Sequence, residues 1–430
     1  MNILLINHYA GGPAYGMEFR PYFLAREWVR MGHKVQVVAC SHSHVRARNP
    51  EMGLAVEKRE SIDGIDWLWL NAPAYTGNGV GRLINIATFL ARLWWRAEAL
   101  VAEQRPDMVI ASSTYPMDIW VARHLAAKAH CPWIYEVHDL WPQSLIELSG
   151  LSPHHPFVRL CAWAERTAYA QADGVVSMLP KVHEHMAGKG LDLRKLSIVP
   201  NGVVLDSNAE PVHPPLALPH ALQADIQQAR DQGHALIGYA GSMGIPNALD
   251  TLLDAAALLR EAPIRFILVG SGHEKARLAQ RIAHEGLTHV RLHEPIPKAL
   301  IPAFLRELSV AYIGWQRVPL YRFGIAPNKL MDYMMAGCAV LHSVEAGNDP
   351  VQEAGCGLTV APGDAHAVAQ GITTLLSLPP EQRHEMGTRG QRFVREHHAY
   401  PVLARRFLEN PAFAKPTPKQ NPTPELKPGP

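Results

Sequence analysis

A chain of 430 residues with 47% hydrophobic and 19% charged content reads as an ordinary globular protein, too long for one core and natural for two domains. A formal charge of +2 and 23 scattered histidines supply no basic stripe, so nucleic acid is not an expected partner. The cysteines Cys40, Cys131, Cys161, Cys338 and Cys356 form no CxxC pair and fall mostly in apolar runs, which suits reduced thiols in a cytosolic protein and does not suggest zinc.

The opening MNILLINHYAGG lacks the charged region and long apolar run of a signal peptide, and a strand is predicted over 3–6. Gly11 and Gly12 follow, where the carboxyl edge of a doubly wound sheet receives ligands; a plain structural turn explains the same pair. A helical pattern over 19–31, Gly32 and a strand over 34–39 complete a βαβ unit. Strands over 56–60 and 65–70 flank Asp63-Gly64, a hairpin signal. The segment 80–100 is the most membrane-like, but Arg82, Arg92 and Arg96 interrupt it at helical spacing and argue against a spanning helix. Two readings remain. One is a surface helix whose arginines meet anionic headgroups while Leu83, Ile84, Phe89, Leu93, Trp94 and Trp95 lie against the acyl boundary; the other is a core-facing helix. Further strands are predicted over 108–111, 133–137 and 174–178. The second of these runs into His138-Asp139, polar residues at the carboxyl end of a strand, although Asp139 also suits the cap of a turn. His154-His155, His183, His185 and His397-His398 have no ligand spacing and read as solvated.

The Pro-rich run 211–219 marks a composition break, and a second sheet starts at residue 235. Strands over 235–240 and 265–269 end in Gly241-Ser242-Met243-Gly244 and Gly270-Ser271-Gly272, a pairing that suits a phosphate site. A nicotinamide fingerprint fits poorly, because Lys275 stands at the third glycine. Strands over 290–293, 310–313, 339–343 and 357–361 follow, with helices over 298–307 and 364–376 and a helical run over 386–410. Within YRFGIAPNKLMDYMMAGCAVLHS, Pro327 and Gly337 bracket a helix of about ten residues. Its N-terminus favours phosphate, Lys329 adds a cation and Asp332 offers an acceptor for ribose hydroxyls; an exposed Lys–Asp pair is the competing reading.

Taken in order over residues 1–400, GMEFRPYFLAREWVRMGHKV, EVHDLWPQSLIELSGL, IVPNGV, IGYAGSMG, LVGSG and FGIAPNKLMDYMMAGCAVL resemble the retaining GT-B glycosyltransferases of family 4. The similarity is greatest to the branch that builds bacterial cell-surface polysaccharides. It implies an α/β protein of two doubly wound, Rossmann-like domains facing across a cleft. The expected parts are an acceptor-side domain over 1–205, a linker over 206–234, a nucleotide-sugar domain over 235–385, C-terminal helices over 386–410 packing back on the first domain, and a disordered Pro/Lys-rich tail over 411–430.

By position, the resemblance implies that Gly11 and Gly12 face the donor diphosphate or the acceptor, with Arg20 and Asp139 on the acceptor side and His138 as the catalytic group near the reacting sugar. Gly241 and Ser242 would flank the diphosphate, Pro295 and Ile296 would contact the base, and Asp332 would hold the ribose. Two departures stand out. Gly324 replaces the first glutamate of the family's pair, and Ser242 with Pro246-Asn247 occupy the region that customarily holds an Arg and a Lys. Lys329 is therefore the first expectation for neutralising the diphosphate, and Arg317 or Arg322 the second. No DxD pair appears, and metal-independent transfer with retention is expected, with no cofactor. The acceptor implied is a glycan on a polyprenyl-diphosphate carrier, reached from the cytoplasm at an anionic membrane surface. A sugar-nucleotide epimerase and a non-catalytic binding component are the competing readings.

Overall fold

The computed structural model describes residues 1–16, 19–77, 79–205 and 217–414. The first unit runs β1 (Asn2–Ile6), α1 (Phe19–Arg30), β2 (Lys34–Cys40), β3 (Glu57–Ile62), β4 (Ile65–Leu70), α2 (Val80–Gln104), β5 (Met108–Ala111), α3 (Asp118–Ala129), β6 (Trp133–Val137), α4 (Gln143–Glu147), α5 (Pro156–Gln171), β7 (Gly174–Ser177), α6 (His183–Gly188) and β8 (Leu196–Ile198). The sheet order is β3-β4-β2-β1-β5-β6-β7-β8, parallel except for the β3–β4 hairpin. Asp63 and Gly64 both take positive φ, 53° and 76°, as a tight hairpin turn with the right-handed twist of its strands requires. The central strands are mostly apolar because helices cover both faces, with Gln36 and Glu136 among the buried polar exceptions.

The second unit runs α7 (His220–Asp231), β9 (Ala235–Ala240), α8 (Leu249–Leu258), β10 (Ile264–Val269), α9 (Lys275–His284), β11 (Val290–His293), α10 (Ile301–Arg306), β12 (Val310–Gly314), α11 (Asn328–Ala336), β13 (Val340–Ser343), α12 (Pro350–Ala354), β14 (Gly357–Val360), α13 (Ala365–Ser377), α14 (Pro380–His397) and α15 (Tyr400–Leu408). Its sheet, ordered β11-β10-β9-β12-β13-β14, is parallel throughout, so all its carboxyl ends share one edge.

Several expectations need correction. Part of the expected linker 206–234 is helix α7, whose Leu222, Ile226 and Ala229 recur at helical spacing and are buried in the second unit's core; residues 206–216 lie outside the described residues. The expected C-terminal helical run begins at Pro380 and breaks at His398-Ala399, ahead of Pro401. Helix α14 stays with the second unit through Val394, whereas α15 buries Leu403, Ala404 and Phe407 in the first unit's core beside Trp28. Order continues into the expected tail: Asn410 bonds Val175, Lys195 and Ser197, Ala412 is buried, and residues 415–430 lie outside the described residues. His185 and His398 are not solvated, since His185 Nε2 lies 3.3 Å from Glu165 and His398 Nδ1 lies 3.0 Å from the carbonyl of Asn201.

Helix α2 divides the two sequence readings. Phe89 and Leu93 are fully buried, while Leu83, Ile84, Trp94 and Trp95 are exposed. The arginines expected at headgroups are engaged within the protein: Arg82 donates to the Tyr9 hydroxyl, Arg92 to the carbonyl of Asn71, and Arg96 pairs with Glu57 and Glu103. Among the described residues no helix is long and apolar enough to cross a membrane.

The segment between β12 and α11 joins the two units. Leu320 and Phe323 are buried in the first unit's core, the N–H of Lys181 donates to the carbonyl of Phe323 (2.9 Å), and Asn201 Nδ2 donates to that of Ala326 (2.8 Å). A loop leaving a carboxyl end of the second sheet thus meets loops leaving the carboxyl ends of β7 and β8. The cleft lies between the two carboxyl edges, where this architecture binds ligands.

Candidate active site

At the carboxyl edge of the second sheet, two glycine turns nest against one another. A Cβ on Gly270 would stand 1.9 Å from the carbonyl oxygen of Gly241, and one on Gly272 would stand 2.3 Å from that of Met243, so backbone fills the space a side chain would need. A Cβ on Gly241 would meet Lys329 Cδ at 2.5 Å. Lys329 is in the first turn of α11, and its Nζ donates to the Tyr239 hydroxyl at 2.9 Å and to Asn247 Oδ1. The Tyr239 hydroxyl in turn donates to the carbonyl of Ser242 (2.5 Å). Lys329 has no carboxylate partner among the described residues, and burial alone brings its ammonium down to about 8. A desolvated cation held by neutral groups, at a helix N-terminus and beside a glycine turn, is a seat for an anion.

One turn further along α11, Asp332 is half-buried and takes no side-chain hydrogen bond among the described residues. Burial raises its carboxyl, and the charge of Lys298 opposes that rise. The Nζ of Lys298 also lies 5.6 Å over the ring of Phe19, the first residue of α1, which brings the end of the first unit that carries Gly11 and Gly12 opposite α11. Pro295 and Ile296 follow β11 at the same edge, Pro295 exposed and Ile296 half-buried.

The two alternative cations are placed differently. Arg317 is exposed, pairs with Glu345 at 2.9 Å and lines a groove of about 280 Å³ with Gly244, Arg277 and Trp315, to which Lys329 does not contribute. Arg322 forms a two-pronged pair with Glu147 of α4, at 2.8 and 2.7 Å, and so bridges the units. Neither stands with Lys329. Gly324 has φ of 97°, and a Cβ there would meet Pro180 Cδ at 2.5 Å. The position facing the first unit has no room for a glutamate.

Across the cleft, His138 directly follows β6. Its Nε2 lies 3.0 Å from Ser112 Oγ and 3.4 Å from Glu136 Oε2, and the Ser112 hydroxyl donates to Glu136 (2.5 Å). Glu136 is wholly buried. Burial alone would raise its carboxyl, but Arg20, His138 and Ser112 outweigh this and hold it at about 2. Arg20, expected on the acceptor side, is instead a buried strut: it pairs with Glu136 at 2.8 Å and donates to the carbonyls of Val199 and Pro200. Its five N–H donors suit that bracing role. Asp139 is exposed, yet the protein around it raises its carboxyl by desolvation, with His138 opposing. Asp118, at the start of α3, is pushed up to about 7 by burial, against bonds from Ser113 and the charge of His138. The carboxylate in contact with His138 is therefore that of Glu136.

The family described as "Glycosyl transferase 4-like domain" matches residues 16–202, and "Glycosyl transferases group 1" matches residues 234–378. This chain is a family 4-like glycosyltransferase. WcaI of Escherichia coli K12, a colanic acid biosynthesis glycosyl transferase by name, is 23% identical over 371 residues, covering 82% of this chain and 87% of its own. Sucrose-phosphate synthase of Thermosynechococcus elongatus matches with a TM-score of 0.66 at 17% identity, over 94% of this chain and 96% of that one. HepE of Anabaena, solved with UDP-glucose, matches at 0.59 and 15% identity, over 95% and 98%. These likenesses give the glycosyltransferase the GT-B fold.

Within that fold, the departures have structural counterparts. Asn247, in the region where the family resemblance led to the expectation of a basic residue, accepts from Lys329, so a cation from α11 reaches that region. Sequence reasoning missed Ser112, Glu136, Tyr239 and Lys298. Glu136 alone left a signal, a carboxylate inside the apolar strand 133–137.

Proposed function

We propose that this glycosyltransferase moves a sugar from a nucleoside-diphosphate sugar on the second unit, with retention and without a metal, to a polyprenyl-diphosphate-linked glycan at the cytoplasmic face of the membrane, in surface-polysaccharide synthesis. The observation that carries the donor half is Lys329, a half-buried cation without a carboxylate partner among the described residues, beside Gly241 and at the start of α11. Departure of a nucleoside diphosphate places new negative charge on its oxygens, and a preorganised cation is worth most at that moment. Asp332 accepts from the ribose hydroxyls, while Pro295 and Ile296 border the base. The departing phosphate oxygen takes the acceptor proton, and His138, oriented by Ser112 and Glu136, positions the reacting sugar. The names of WcaI and of HepE with UDP-glucose support the polysaccharide and nucleotide-sugar parts.

The test is donor-dependent nucleotide release over a panel of nucleotide sugars. Lys329→Met is expected to lower kcat more than it raises the donor KM. Near-parental turnover in Lys329→Met with loss in Arg317→Met would move the diphosphate role to Arg317. Activity is expected to survive chelator, and a loss restored by Mg²⁺ or Mn²⁺ would overturn the metal-free part.

A further inference from the structure

Helices α2, α3 and α5 form one layer over the first sheet, and their outer face carries apolar side chains that no described residue covers. On α2 the core-facing set is Ile86, Phe89, Leu93, Ala97 and Leu100. A second stripe at helical spacing, Val80, Ile84 and Trp94 with Trp95 beside it, faces outward, and Trp95 is 81% exposed. The Trp94 ring stacks on His124 of α3 at 3.9 Å, and Trp120 of α3 meets Trp163 of α5 at 4.9 Å. Trp163 is itself 55% exposed, with Leu160 opening alongside it. Three neighbouring helices therefore contribute indoles to one surface.

The charges on the α3 and α5 part of that surface are one-sided, while α2 adds the exposed Glu98. The acids of α3 and α5, Asp118 and Glu165, are buried, leaving Arg123, Lys128, Arg159 and Arg166 as the charges that reach solvent. Lys128 pairs with Glu98 of α2, whereas Arg123, Arg159 and Arg166 make no ion pair among the described residues. Indoles flanked by uncompensated guanidinium groups fit an anionic bilayer interface, where tryptophan sits at headgroup level and arginine meets lipid phosphate. A second copy of the chain fits less well, because a two-fold contact would set this basic face against itself, and Glu98, the acid beside the indoles, is already held by Lys128. The orientation is also favourable. Helices α2, α3 and α5 follow β4, β5 and β6, so their first turns lie at the carboxyl edge that borders the cleft.

We propose that the face built on Trp94, Trp95 and Trp163 with Arg123, Arg159 and Arg166 seats the protein on an anionic phospholipid surface, a role that rests on the lipid-linked acceptor proposed above. The surface differs from the one the sequence alone marked, since Arg82, Arg92 and Arg96 are engaged internally. Co-sedimentation with phosphatidylglycerol/phosphatidylethanolamine vesicles, compared with phosphatidylcholine alone, tests it directly. Binding is expected to the anionic vesicles only and to weaken as salt rises. It should fall about fivefold for each of Arg123→Gln, Arg159→Gln and Arg166→Gln, and about a hundredfold for the three together. Trp95→Glu with Trp163→Glu should abolish it while leaving Tm unchanged, because both rings are on the surface. Arg92→Gln should not alter it. An absence of vesicle binding in the parent, or equal binding by the triple variant, overturns the proposal. So does a solution dimer that Trp95→Glu dissolves, which assigns the face to a second copy. Nucleotide release without any vesicle binding removes the surface and leaves the transferase reading intact; vesicle binding without any donor turnover does the reverse.

Discussion

Lys329 makes opposite demands on stability and on binding, and its titration separates them. Burial lowers its ammonium from the ordinary 10.5 to about 8, so between those values the unfolded chain holds a proton that the native protein does not. Native stability contributed by this group therefore rises with pH across that window, and below about pH 8 the buried charge is a cost. Lys329→Met is expected to leave Tm at pH 7 no lower than the parent's. Donor affinity should run the other way, steady up to about pH 8 and weakening roughly tenfold per unit above it as the cation is lost. Calorimetric affinities that do not change between neutral and alkaline pH would remove Lys329 from the diphosphate. Arg20 is the contrasting case, because its partner Glu136 cannot reach water. Arg20→Met strands a buried carboxylate and should cost about 3–5 kcal/mol in urea unfolding at pH 7. Glu136 is held down at about 2, so its share of stability is present above the ordinary 4.5 and is lost as pH falls towards 2; the gap between parent and variant should narrow over that range. A variant as stable as the parent at pH 7 would show that Arg20 does not brace the strand.

At the level of elements, the nested glycine turns show which parts of the site are rigid. In Gly241→Ala the new methyl group meets the far part of the flexible Lys329 side chain, which can swing aside. The fold should survive with a modest loss of Tm, because φ of 157° strains any side chain there, and donor affinity should fall although Lys329 itself is unchanged. In Gly270→Ala the methyl group meets backbone, the carbonyl of Gly241, and the protein should lose several-fold more stability than in Gly241→Ala. Equal thermal shifts for the two would contradict this division. The strands over 65–70, 108–111, 133–137, 235–240 and 290–293 were readable to the residue, because buried parallel strands are short apolar runs bounded by turn residues. Helix α11 was equally legible from Pro327 and Gly337. Helix α7 was not, since the proline run beside it dominated the composition. The surroundings of His138 were hidden for a different reason: Arg20 and Glu136 are 116 positions apart, and only the fold brings them together.

In the whole molecule, the two units are tied by crossing segments more than by facing charges. Phe323 belongs by sequence to the second unit, yet it is buried in the first unit's core against His185, and it lies five residues before α11. Its neighbour Arg322 reaches Glu147 across the boundary, but that arginine is largely exposed. An exposed pair is worth roughly 0–1 kcal/mol, while removing a buried ring costs about 3–5 kcal/mol, with the lower end expected at a boundary that can relax. Arg322→Ala should therefore leave Tm within a degree or two of the parent's, and Phe323→Ala should lower it clearly. The two variants should also differ in kinetics. Gly241, Lys329 and Asp332 all sit within the second unit, so donor affinity by calorimetry should survive Phe323→Ala, whereas kcat should fall because α11 is no longer held at a fixed distance from His138. If donor affinity fell in step with kcat, the aromatic insertion would be shaping the donor pocket itself and not the approach of the two units.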